Sequence, residues 1–139
     1  MHENTNLHGL LNARRSLILL NRASKHADAA LKEVEANAAD GSKVVQIVCD
    51  LCDFQSVRIA AEKICSDYDH LAGLFLNAGI MAQKDQKTKD GFDRQMQANH
   101  LSGFLLTSLL FKLLENGAEY VSLMSPCLSP FPLTAPLPE

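Results

Sequence analysis

No stretch of these 139 residues stays apolar for long enough to cross a bilayer. The opening residues, MHENTNLHGLLNARR, lack the apolar centre of a secretory signal, and no Asn-x-Ser/Thr acceptor occurs anywhere. Basic residues are not in excess either. Thirteen Lys and Arg stand against sixteen Asp and Glu, for a net charge of −3, and they are scattered rather than striped. That leaves no field suited to nucleic acid. These absences together predict a chain with no membrane span and no nucleic-acid partner, in a reducing, cytoplasmic setting. A second cysteine pair is missing too. Cys49 and Cys52 form a C-x-x-C, but Cys65 and Cys127 do not supply the remaining ligands of a zinc site. All four read as thiols, with Cys49 a small buried hydrophobe closing a strand.

What is present is the material of one globular domain. The apolar fraction is 47% and the charged fraction 21%, as in soluble proteins that bury a core. The runs SLILL (16–20), KVVQIVC (43–49), LAGLFL (71–76) and YVSLM (120–124) read as strands. Between the first two, Ser24 is an N-cap type. It opens a helix with Ala27, Ala30, Leu31 and Val34 on one stripe and Gly41 placed to end it. Asp53 caps a second helix, with a stripe of Val57, Ala60, Ala61, Ile64 and Tyr68. The longest helical pattern runs from about Gly91 to Glu115, with an expected apolar face of Phe92, Met96, Phe104, Leu110, Phe111 and Leu114. Strands that are apolar throughout, alternating with helices, predict an α/β fold with a parallel sheet covered on both faces. All five prolines fall in the terminal SPCLSPFPLTAPLPE, a composition that excludes helix and central strand. The expected organisation is one domain over 1–125 and a proline-rich tail without fixed structure over 126–139.

In such a sheet, ligands sit at the carboxyl ends of the strands. Here those ends are Asn21-Arg22, Asp50-Leu51, Asn77-Ala78-Gly79 and Ser125. They gather a cation, a carboxylate, a small-residue turn and a hydroxyl on one edge, a set suited to a nucleotide. Small residues at 77–79 allow close approach to the backbone.

In their order and spacing, LILLNR, VCDL, LFLNAGI, TKDGFDRQMQANHLSGFLLT and the hydroxyl after YVSLM resemble the short-chain dehydrogenase/reductase family. The stretch NHLSGFLLT is most similar to its retinol-dehydrogenase-like branch. The resemblance covers about residues 7 to 125 and implies a Rossmann-like three-layer sandwich. It also implies an NADP-linked conversion between alcohol and carbonyl on a small hydrophobic substrate. By that resemblance Asp50 would bond the adenine amino group with Leu51 beside the ring. Asn77, Ala78 and Gly79 would steady the sheet and line the adenosine ribose. Arg22 would face the ribose 2′ position, where a guanidinium suits the phosphate of NADP better than the hydroxyl of NAD; an ordinary solvated charge is the alternative. Asn99 matches the catalytic asparagine that holds a water in the proton relay. Ser125 matches the hydroxyl that orients the substrate carbonyl, or else is a turn serine before Pro126.

The sequence also departs from the family. It holds no T-G-x-x-x-G-x-G turn, and LHGLLNARR reads as the end of the helix that would follow one. The Tyr-x-x-x-Lys pair should fall where Pro138 stands, about thirteen residues after Ser125, and the tyrosines present, Tyr68 and Tyr120, lie elsewhere. The expectation is thus an incomplete Rossmann-like sandwich, truncated at both ends and inactive by itself. Its sheet order should be KVVQIVC, LILL, a vacancy or direct closure, LAGLFL, YVSLM. The alternative is a non-catalytic interaction protein that pairs with itself or a full-length relative through the helix at 91–115.

Overall fold

The computed structural model describes residues 16–38, 42–81 and 85–117. Gly41, Ser125, the YVSLM run and the proline-rich segment lie outside the described residues.

Two strands, β1 (Leu17–Asn21) and β2 (Val44–Val48), pair in parallel with Leu17 opposite Val44 and Asn21 opposite Val48. The helix joining them, α1 (Lys25–Ala36), starts where the sequence says it should: Ser24 Oγ accepts the Ala27 N–H at 3.1 Å. It stops at Asn37, before Gly41. Asn37 turns its amide back onto the Glu33 carbonyl at 2.7 Å. Of the α1 stripe, Ala27 is buried, Leu31 and Val34 are half-buried, and Ala30 is exposed.

After β2 the chain enters α2 (Phe54–Asp67), capped by the Asp53 carboxylate on the Gln55 N–H at 2.9 Å. Its stripe of Val57, Ala60, Ala61 and Ile64 is buried throughout. A short turn of helix, α3 (Arg94–Met96), then runs through a π-helical turn, Gln97–Leu101, into α4 (Ser102–Gly117). Helices α2 and α4 pack together over one face of the sheet. Alternate strand residues point into that layer. Ile47 and Cys49 are buried there, with Ile18, Leu20 and Val45 packed against them, facing Leu106, Leu110 and Leu113 of α4. The pairing Ile18–Val45 and Leu20–Ile47 makes this face coherent, because a parallel register keeps opposite residues on the same side.

Two expectations are corrected. LAGLFL does not form a strand: among the described residues the sheet is β1 and β2 alone. A strand is defined by a ladder, and among the described residues Leu71 alone of this segment makes a backbone–backbone hydrogen bond, to a helix and not to a strand. The Leu71 N–H goes to the Leu113 carbonyl at 2.9 Å, and both polar groups of Ile80 go to a side chain of the π-helical turn. Leu71, Leu74 and Leu76 still contribute to the core by packing.

The second correction is the face of the long helix. Leu110 and Leu114 are buried as expected, but Phe92, Met96, Phe104 and Phe111 are exposed, Phe104 at 74%. The buried face is Ala98, Ser102, Leu106, Leu110, Leu113 and Leu114. Phe104 and Phe111 share one side of α4, roughly a quarter to a third of a turn round from Leu110 and Leu114, so the expected set spans more than one face of the helix. Among the described residues no helix is long and apolar enough to cross a membrane.

Candidate functional site

The strand register determines which side chains share the carboxyl edge. Asn21 ends β1 opposite Val48, and the Cys49 N–H donates to the Asn21 carbonyl at 2.9 Å. Arg22 and Asp50 therefore leave adjacent strands at the same edge. Asn21 also accepts a hydrogen bond from the Gln46 amide at 2.7 Å, a same-face diagonal pair that fixes the strand end just before Arg22.

Asp50 is half-buried. Its Oδ1 accepts the Cys52 N–H at 2.8 Å, and its own N–H donates to Ser56 Oγ at 2.9 Å. Among the described residues its second carboxylate oxygen accepts no hydrogen bond. A rigid turn thus presents a directed acceptor at the end of β2. Leu51 is half-buried beside it. Asp53 faces Lys89, with Nζ and Oδ2 2.6 Å apart. That ammonium, helped by the backbone N–H groups at the start of α2, holds the Asp53 carboxyl below its ordinary range.

Asn77, Ala78 and Gly79 are exposed, as are Arg22 and His100. Asn99 is half-buried, and both polar atoms of its amide hold one residue: Oδ1 accepts the Ile80 N–H at 2.8 Å and Nδ2 donates to the Ile80 carbonyl at 2.9 Å. The side chain clasps the backbone one residue beyond Gly79. The structure thus brings Asn99 to the Asn77–Gly79 segment and Arg22 to Asp50. What Asn99 holds through its side chain is this segment. The sequence marked Asn99 but not its partner, since a two-point bond to backbone leaves no trace in residue types.

The C-x-x-C holds two free thiols, Cys49 buried and Cys52 half-buried. Burial, then the nearby Asp50 and Asp53 charges, push the Cys49 thiol up to about 11 from an ordinary 9.0. The unfolded thiol ionises first as pH rises, so the stability from the buried neutral thiol is complete below 9.0 and declines between 9.0 and about 11. That decline amounts to about 2–3 kcal/mol. Urea denaturation across this range is expected to show the loss in the parent, and Cys49→Ala should flatten it.

The short chain dehydrogenase family profile matches residues 7–122. The chain belongs to that family. Its similarity to an uncharacterized oxidoreductase of Schizosaccharomyces pombe is 44% identity over 78 residues, 56% of this chain and 23% of that protein. Mouse (Mus musculus) retinol dehydrogenase 11 is 38% identical over 89 residues, 64% of this chain and 28% of that one. These relatives place this short-chain dehydrogenase in the retinol-dehydrogenase-like branch. Among solved structures, the Pseudomonas aeruginosa RhlG/NADP complex superposes with a TM-score of 0.63 at 24% identity, covering 81% of this chain and 43% of that one. The fold is accordingly the Rossmann-type α/β architecture of short-chain dehydrogenases, in incomplete form. The chain spans about a quarter of the length of the curated relatives named.

Proposed function

We propose that this chain is the adenosine-side part of an NADP-linked oxidoreductase that interconverts a hydrophobic alcohol and its carbonyl in the cytoplasm, NAD being the less favoured cofactor. The observation that carries the reading is the pairing, on one sheet edge, of the directed Asp50 carboxylate with exposed Arg22. Asp50 would accept a hydrogen bond from the adenine amino group beside Leu51, and Arg22 would meet the ribose 2′-phosphate. The exposed backbone of Asn77, Ala78 and Gly79 would lie along the ribose. Asn99 would steady that segment, and Ser125 would orient the substrate carbonyl. When bound, the cofactor supplies the hydride. The residues present suit the adenosine half; no glycine-rich turn for the pyrophosphate occurs in these 139 residues. We further propose that these residues by themselves do not turn over, and that 1–125 form the cofactor domain with 126–139 as a tail.

A fluorescence titration with NADPH tests the binding. Saturable but weak quenching is expected, and Asp50→Ala should weaken it roughly tenfold, the value of about one hydrogen bond to a charged acceptor. Unchanged quenching in the variant would remove Asp50 from the site.

A second reading is favoured by a separate observation. Phe104 and Phe111 lie two turns apart on α4, and both are more than half exposed, at 74% and 55%. Exposed aromatic pairs of this kind mark contact surfaces. The reading is a non-catalytic partner protein that pairs through α4 with a second copy or a full-length relative. Light scattering should find a dimer that Phe104→Glu together with Phe111→Glu converts to monomer. A parent that is monomeric, and does not co-purify with a longer relative, would end this reading.

A further inference from the structure

Two buried polar side chains, Gln97 at the start of the π-helical turn and Ser102 just past its end, flank Asn99, and neither belongs to the site described so far. Both are fully buried, so each must find internal partners or pay for desolvation. Gln97 Oε1 accepts the Thr88 hydroxyl proton, and its Nε2 donates to Asp90 Oδ2 at 2.7 Å. The same Asp90 oxygen accepts the Phe54 N–H, the first of α2, at 2.9 Å. Ser102 donates its hydroxyl to the Leu51 carbonyl at 2.6 Å. Thr88 and Asp90 are brought together by a tight turn that closes at Gly91, whose N–H bonds the Thr88 carbonyl and whose φ is 89°. Gly91 is there because a side chain would strain that backbone.

The connectivity is specific. Leu51 and Phe54 are the two ends of the connection between Asp50 and α2; Leu51 is bonded directly by Ser102, and Phe54 is linked to Gln97 through the shared Asp90 oxygen. Between those ties, Asn99 holds Ile80. One helical irregularity therefore grips both the turn that aims Asp50 and the segment that follows Gly79. We propose that Gln97 and Ser102 are positioning residues that hold the Asp50 turn and the Asn77–Ile80 segment in fixed relation, so that the two walls of the cofactor edge move as one body. The functional meaning rests on the reading of that edge as an adenosine site; the mechanical coupling does not.

Amide hydrogen exchange, measured by NMR on the whole chain without nucleotide, tests it. In Gln97→Leu the Phe54 and Ile80 amides are expected to exchange roughly tenfold faster together, the value of about one hydrogen bond, with Val57 and Leu110 near the parental rate. Ser102→Ala should loosen the Cys52 and Ile80 amides in the same way. Gln97→Glu sets two carboxylates against each other and should mimic Gln97→Leu. Combining it with Asp90→Asn exchanges donor and acceptor across the pair and should bring Ile80 back towards parental exchange, while Phe54 stays fast because the group that accepted its N–H now donates. Ile80 at the parental rate in Gln97→Leu, uniform acceleration that includes Val57 and Leu110, or failure of the exchanged pair to restore protection at Ile80 would each overturn the proposal. Because no nucleotide is present, a parent that binds no NADPH would count against the cofactor reading alone.

Discussion

Mixed with NADPH and a long-chain aldehyde, the purified 139-residue chain is expected to oxidise cofactor no faster than buffer does. Carbonyl reduction leaves an alkoxide that needs a proton donor within hydrogen-bond reach, and such a donor is typically worth about 10²–10⁴-fold in rate. Tyr68 cannot serve. It ends α2 and packs into the core, while Asp53 starts that helix, so the two ends lie roughly 20 Å apart by helical rise. Asn99 cannot serve either, because a carboxamide N–H is far too weak an acid to give up a proton near neutral pH. Adding a glycine-rich strand–turn unit ahead of the chain and a Tyr-x-x-x-Lys helix after it, both from a relative, should restore turnover. In that extended chain Asn99→Ala should depress kcat, because the segment beyond Gly79 loses its clasp. Robust NADPH oxidation by the unextended chain, unaffected by Asn99→Ala, would place the chemistry outside this edge.

Much of this arrangement is local, and local chemistry is legible in sequence. Ser24 and Asp53 act as caps because each oxygen reaches an amide two or three residues on. The α2 stripe was readable because its polar residues leave only one apolar face. The parallel pairing of SLILL and KVVQIVC follows from the helix between them, since a crossover of that length returns the chain in the same direction.

What escaped the sequence depends on partners far along the chain. LAGLFL has the composition of a strand, yet a strand forms only if a neighbour's backbone is available, and composition cannot report that. Helix α4 is apolar nearly all round, with Phe104, Leu105, Leu106, Leu109, Leu110, Phe111, Leu113 and Leu114. Periodicity therefore could not choose its buried side. No residue type announces the π-turn that precedes α4 either. Glutamine is usually a surface residue, so its type gave no sign that Gln97 is buried. Its burial is possible only because the Thr88–Gly91 turn brings a hydroxyl and a carboxylate to it.

Arg22→Glu is expected to abolish discrimination between NADPH and NADH. The cofactors differ at the ribose 2′ position, where one carries a dianionic phosphate and the other a hydroxyl. A guanidinium bonds phosphate in a charge-assisted, often bidentate manner, at about twice the strength of a neutral hydrogen bond. Hydrogen bonds to charged groups contribute roughly 1.5–3 kcal/mol, so the parent should prefer NADPH by about 10- to 100-fold. Arg22 is well placed for this because it is exposed and follows Asn21, whose side chain is pinned by Gln46. The loss should be confined to NADPH. A carboxylate at this position repels a 2′-phosphate and can accept a bond from a 2′-hydroxyl, so NADH binding should hold or improve. Competitive titrations of both cofactors at two salt concentrations would separate the contributions, since the phosphate contact at this exposed edge is screened by salt and the Asp50 contact to the adenine amino group is far less so. Equal affinity of the unmodified chain for the two cofactors would show that Arg22 is only a solvated surface charge.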